Sequence, residues 1–224
     1  MELGVSHGVN ACRPWKGGFL GHATEHQIAL VFPDTSPRGT GIAGEDDSWD
    51  LGTGAPPHPP TAHTLYFTNL GTHTGAGFYL DATNPTWSKH YNMYTYITSE
   101  LPSLLRSLKV LPLDLSRQSI FGHSMGGHGA VSLYLRTIVA GAYKSVSAFA
   151  PALNPTNAPM AVKAFNEYLQ GGLKEGEKWD STCLIWEVPE GTRLNVLIDV
   201  VSAVCLRGVV IEVDARAGRG RPVL

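Results

Sequence analysis

The sequence lacks any apolar run approaching the roughly 20 residues that a membrane-spanning helix requires. Cysteine is scarce: Cys12, Cys183 and Cys205 are odd in number and widely spaced. Such a set argues against a disulfide framework and fits a reducing compartment. Neither sign of charge is in excess, with 17 basic and 19 acidic residues giving a net charge of −2. Nothing global therefore favours nucleic acid or an anionic membrane surface as a partner. The opening Met1-Glu2-Leu3-Gly4 has no basic n-region and no apolar h-region. No secretory signal is expected from it, and the expected location is the cytoplasm. Histidine is absent from the whole stretch beyond His128.

Glycine is plentiful, and one group of glycines organises the chain. The stretch Gly122-His123-Ser124-Met125-Gly126-Gly127-His128-Gly129 follows the β-branched and aromatic run Ser119-Ile120-Phe121. It precedes the apolar helical run Ala130-Val131-Ser132-Leu133-Tyr134-Leu135. Strand, sharp turn and helix form the context that a G-x-S-x-G nucleophile elbow requires. Ser124 must sit at a strained turn so that its Oγ projects from the top of a sheet. Gly122 and Gly126 lack Cβ atoms, which lets strand and helix approach closely there. A helix beginning at Met125 aims backbone N–H groups and its positive dipole end at the reacting centre. The Met125 N–H is then one of two oxyanion donors. G-x-S-x-G alone is a short pattern in a glycine-rich chain; the flanking strand and helix give it weight.

The segment from Ser119 to Ala130 resembles the elbow of the S-formylglutathione hydrolase (esterase D) family. So do Asp34-Thr35-Ser36-Pro37-Arg38-Gly39, Gly44-Glu45-Asp46-Asp47-Ser48-Trp49-Asp50, Gly77-Phe78-Tyr79-Leu80-Asp81-Ala82-Thr83 and Tyr143-Lys144-Ser145-Val146-Ser147-Ala148-Phe149-Ala150-Pro151. The resemblance covers about His22 to Ala55 and Gly77 to Asp199. It implies an α/β-hydrolase fold and a serine thioesterase that splits S-formylglutathione into formate and glutathione. Ser124 would be the nucleophile, with no metal and no organic cofactor. The expected partner is a small-molecule glutathione thioester, not a nucleic acid or a membrane. A homodimer is the assembly considered. The expected organisation is a single α/β-hydrolase-like domain over 1–224, with 56–76 an inserted loop and 200–224 an atypical tail.

The departures from the family pattern carry equal weight. Residues 1–21 show no element, so the fold is expected to lack early strands. The family's second oxyanion loop, Ser-Gly-Leu-Thr-Cys, has no counterpart; His7-Gly8 is the nearest candidate and reads better as a solvated terminus. Ile28-Ala29-Leu30-Val31-Phe32 reads as a buried parallel strand after a helix ending at 24–27. Glu45, Asp46, Asp47 and Asp50 match no metal loop and read as a solvated loop containing Trp49. Residues 56–76 separate Gly52-Thr53-Gly54-Ala55 from Gly77-Phe78-Tyr79, which the family joins directly. Their prolines and lack of apolar period predict a mobile loop, and His58, His63 and His73 have no metal-site spacing. A retained intron or gene-model error is the expected origin.

Residues 91–108 predict a helix with Tyr94, Ile97, Leu101, Leu104, Leu105 and Leu108 on one face and a kink at Pro102. His123 and His128 flank the nucleophile and read as structural, because the elbow turns Ser124 away from its neighbours. Residues 150–158 form a loop at a strand's C-terminal end, where pockets form. Met160 replaces a pocket-wall tryptophan of the family.

The triad order of α/β-hydrolases is serine, acid, histidine. The family turn expected after the 194–199 strand is absent, and no later Gly-x-Asp-His motif supplies a base. Asp199 and Asp214 remain, but neither matches the family acid. His22, His26 and His90 lie upstream and would need an unusual arrangement. The triad acid and histidine are therefore not identifiable, and a catalytically impaired hydrolase-like fragment is the alternative to an active thioesterase. Arg207, Arg216, Arg219 and Arg221 could suit an RNA-binding tail. Without interleaved aromatics they fit readthrough into noncoding sequence better.

Overall fold

In a computed structural model, residues 2–5, 18–37, 40–42, 77–108, 112–201 and 206–211 are described. A six-stranded sheet forms the frame. Its strands are β1 (Glu2–Val5), β2 (Leu30–Val31), β3 (Ser119–His123), β4 (Val146–Phe149), β5 (Val196–Val201) and β6 (Leu206–Ile211). The spatial order is β2-β1-β3-β4-β5-β6. All neighbours are parallel except β5 and β6, which run antiparallel. Parallel neighbours need long crossovers, and helices supply them. This is the α/β-hydrolase type of architecture.

Two features depart from the sequence expectation. Residues 2–5 form a strand where no element was expected, and it lies in the middle of the sheet between β2 and β3. Four residues including a glycine carry no pattern of their own, so pairing with β2 and β3 defines this strand. Secondly, β6 falls within the 200–224 segment read as a tail and pairs with β5 from Val196↔Ile211 to Val201↔Leu206.

The central strands alternate. Ile120 and Val146 are buried on one face, while Phe121 and Phe149 are half-buried on the other. The first face carries α4 (Met125–Arg136), which is buried from Met125 through Leu135. A helix buried all round, His128 and Ser132 included, belongs in an interior. The second face carries α1 (Phe19–Glu25), where Phe19 meets Phe121 at 5.3 Å between ring centroids; Phe32 meets Phe121 at 6.0 Å.

The helical run between them is segmented. α2 (Met93–Thr95) passes through a π-helical turn, Tyr96–Glu100, into α3 (Leu101–Ser107). Pro102 lies in the first turn of α3, where its missing N–H is tolerated. The expected apolar face is narrower than read. Ile97, Leu101 and Leu105 advance by four and are buried, but Leu104 and Leu108 are exposed on the solvent side of that row. Beyond β4 come α5 (Pro159–Tyr168), α6 (Gly172–Gly176) and α7 (Ser181–Leu184). Tyr168 of α5 stacks on Tyr91 at 5.2 Å and meets Trp87 edge-on at 5.4 Å. Among the described residues no helix is long and apolar enough to cross a membrane. The segment 56–76, the acidic residues 45–50, His7-Gly8 and Asp214 lie outside the described residues.

Candidate active site

Ser124 sits between the last residue of β3 and the first of α4, with φ 56° and ψ −118°. A non-glycine residue at positive φ is strained and persists only when its surroundings over-determine it. Three main-chain hydrogen bonds do so. The Ser124 N–H donates to the Phe149 carbonyl at 2.8 Å. The Ser124 carbonyl accepts from the His128 N–H at 3.0 Å and from the Ala152 N–H at 3.4 Å. The residue is thereby tied to its helix, to β4 and to the segment leaving β4. Met125 opens α4 beside it, so its N–H belongs to the helix end that favours a developing negative charge.

Close approach at this corner depends on glycines that the motif alone does not single out. A Cβ on Gly127 would lie 2.8 Å from the Pro151 Cβ and 3.3 Å from the Gly122 carbonyl oxygen. A Cβ on Gly129 would overlap the Tyr79 ring. The turn that delivers this ring is itself strained: Phe78 and Tyr79 have φ of 46° and 56°. Ala150, with φ 43°, turns the chain out of β4 and lays Pro151 on Gly127. Its N–H donates to the Asp199 carbonyl at 2.6 Å. Strain at Phe78, Tyr79 and Ala150 could not be read from sequence, because none is glycine.

His128 points into the core. It is 1% exposed, with the rings of Phe78 and Phe165 at 6.4 and 6.3 Å. Neither imidazole nitrogen has a hydrogen-bond partner of good geometry among the described residues. Burial pushes its pKa down to about 4, against the opposing pull of the Phe78 main chain and the Asp180 carboxylate. His123 ends β3 and is exposed. His22 lies on the surface 3.9 Å from Glu25, and His26 and His90 are exposed. Among the described residues, no histidine hydrogen-bonds the Ser124 hydroxyl.

Asp199 lies in one register row with Phe149 and His123. Two strand spacings of about 4.8 Å therefore separate its backbone from that of His123. Met160 lies in the first turn of α5. Among the described residues no cluster of histidine, cysteine or acidic side chains could hold a metal.

A largely parallel sheet with a strained serine at a strand-to-helix corner and a helix end behind it is the framework of an α/β-hydrolase fold. Residues 63–202 match the Esterase family model, described as Putative esterase, and the chain belongs to that family. It is 43% identical over 184 residues to the S-formylglutathione hydrolase of Mus musculus. It is 46% identical over 184 residues to that of Arabidopsis thaliana. Each match covers 82% of this chain and 56% of the relative, so the chain spans little more than half the length of these curated relatives. The solved S-formylglutathione hydrolase of Agrobacterium tumefaciens superposes with a TM-score of 0.67 at 37% identity, covering 89% of this chain and 62% of that one.

Proposed function

We propose that the chain is a serine thioesterase acting on S-formylglutathione, with Ser124 as nucleophile. The strained placement of Ser124 at the mouth of α4 carries this reading, supported by the curated relatives. Attack by Ser124 Oγ on the formyl carbon, with its hydroxyl proton passing to water, would form a tetrahedral oxyanion beside the Met125 N–H. Collapse would expel glutathione thiolate and leave a formyl-serine ester, and water would then release formate. The chemistry calls for no metal or organic cofactor. The whole chain is read as one unit over 1–224, with 56–76 an inserted loop and 200–224 an atypical tail that carries β6. A cytoplasmic location and a homodimer belong to the same reading.

One observation favours an impaired form of this activity: no histidine among the described residues engages Ser124. Removing a triad histidine costs on the order of 10⁶ in turnover in a subtilisin-type protease, while oxyanion stabilisation and binding leave roughly 10³–10⁴ over water. The 224-residue chain is therefore expected to hydrolyse S-formylglutathione slowly, through Ser124. The assay compares it with Ser124→Ala, alongside labelling by a fluorophosphonate. Slow turnover and labelling that both vanish in Ser124→Ala are expected. Turnover equal in both forms would remove the serine mechanism.

A further inference from the structure

Asp180 is a carboxylate with no exposed surface. It precedes α7, and a short helix start asks for one side-chain acceptor. Asp180 does more than that. Its Oδ1 accepts from the Thr182 N–H at 2.8 Å and the Thr182 hydroxyl at 2.6 Å, which caps α7. Its Oδ2 accepts from the Thr156 N–H at 3.0 Å and the Thr156 hydroxyl at 2.6 Å, reaching 24 residues back along the chain. A buried carboxylate is costly unless its lone pairs are met, and here all four partners come from protein. Capping accounts for only the Oδ1 pair.

Thr156 lies in the 3₁₀ turn Pro155–Asn157, within the segment that joins β4 to α5. The other end of this segment touches the elbow, through Pro151 on Gly127 and the Ala152 N–H on the Ser124 carbonyl. The segment is thus fastened at two places, at Ser124 and at Asp180. Between these points Pro155 is buried and Leu153 packs half-buried against the core, so apolar contacts share in holding the segment with the Asp180 bonds.

We propose that Asp180 is a positioning residue: through Thr156 it holds the 150–158 segment against the Ser124 elbow and limits the acyl group that fits beside the serine. The consequence for acyl groups rests on Ser124 being the nucleophile; the anchoring does not. Asp180 touches no reacting atom. It acts through the segment, so loosening it should alter which acyl groups are accepted more than whether Ser124 reacts.

The test uses the full 224-residue chain with Asp180→Asn, which keeps the shape but loses one acceptor atom. Thr156→Val, which removes one hydroxyl bond, serves as the milder variant if Asp180→Asn does not fold. Hydrogen exchange is followed in peptides covering 150–158 and 122–127, with 93–107 as an internal control. Labelling rates are measured with a methyl and a bulky aryl fluorophosphonate, with Ser124→Ala as blank. Exchange at 150–158 and 122–127 should rise about tenfold while 93–107 is unchanged. The ratio of bulky to small labelling should rise about threefold, which a general loss of stability would not produce. Faster exchange confined to 180–184, or equal acceleration in 93–107, would overturn the anchoring. A loosened segment with an unchanged labelling ratio would overturn the limit on acyl size. A parent chain that fails to label refutes the serine reading, and exchange still decides the anchoring.

Discussion

His128 should make this chain acid-sensitive, and the size of the effect follows from its surroundings. The imidazole is 1% exposed, and burial lowers its pKa from 6.5 to about 4. Below pH 6.5 the unfolded chain takes up a proton at this position that the folded chain refuses. Stability is therefore complete above about pH 6.5 and falls as the pH drops towards 4, the usual sense for a group buried in its neutral form. Between pH 7.5 and 5.0 the loss from this one residue is about 2 kcal/mol. The charged group near it, Asp180, favours protonation and is already counted in that pKa. The measurement is urea unfolding at both pH values for the parent chain and for His128→Leu. Leucine removes both imidazole nitrogens, neither of which has a hydrogen bond of good geometry among the described residues. The variant should stay within about 1.5 kcal/mol of the parent at pH 7.5, since replacing an unsatisfied polar group by an apolar one costs little. The parent should lose about 2 kcal/mol more than the variant on going to pH 5.0. Equal losses would refute the buried neutral histidine, and so would a much larger deficit of His128→Leu at pH 7.5.

The other predictions concern the corner around Ser124. Gly129→Ala would drive a methyl group into the Tyr79 ring, and a loss of about 1–3 kcal/mol is expected in the same unfolding assay. Unchanged stability would show that the ring moves freely. Ala150→Gly removes a side chain from a residue with φ 43°, so it should be neutral or stabilising by up to about 1 kcal/mol, where an ordinary Ala→Gly change is destabilising. Clear destabilisation would contradict a left-handed Ala150.

The elbow was legible because its signal is local. Ser119-Ile120-Phe121 reads as a strand, and the apolar run after Gly129 reads as a helix. The turn between them has to fall at Ser124. β1 was not legible, because Glu2–Val5 carries no period and is a strand only through its neighbours β2 and β3. The same holds for Asp180. In sequence it is one acid before Ser181 and Thr182, an ordinary helix-start pattern. Its link to Thr156 exists only after α7 has docked beside the segment following β4. The π turn at Tyr96–Glu100 shows a third limit: Pro102 announced an irregularity, but whether the chain kinks or widens depends on what packs against it.

Among the described residues, the groups that touch Ser124 and the glycines beside it come from residues 77–80, 119–136 and 149–152: the Phe149 carbonyl, the His128 and Ala152 N–H groups, Pro151 on Gly127 and Tyr79 on Gly129. Strain of roughly 1–3 kcal/mol at each left-handed residue is opposed by this shared set of contacts. The geometry of the serine is therefore a property of one compact corner. Proton transfer is a different matter, because a base must be carried to Ser124 Oγ by some other part of a chain. The two parts are physically separable. One can be present at full strength, family resemblance included, while the other is missing among the described residues. Membership of the esterase family rests on the match over residues 63–202, which contains this corner, whereas turnover also depends on a base reaching Ser124 Oγ.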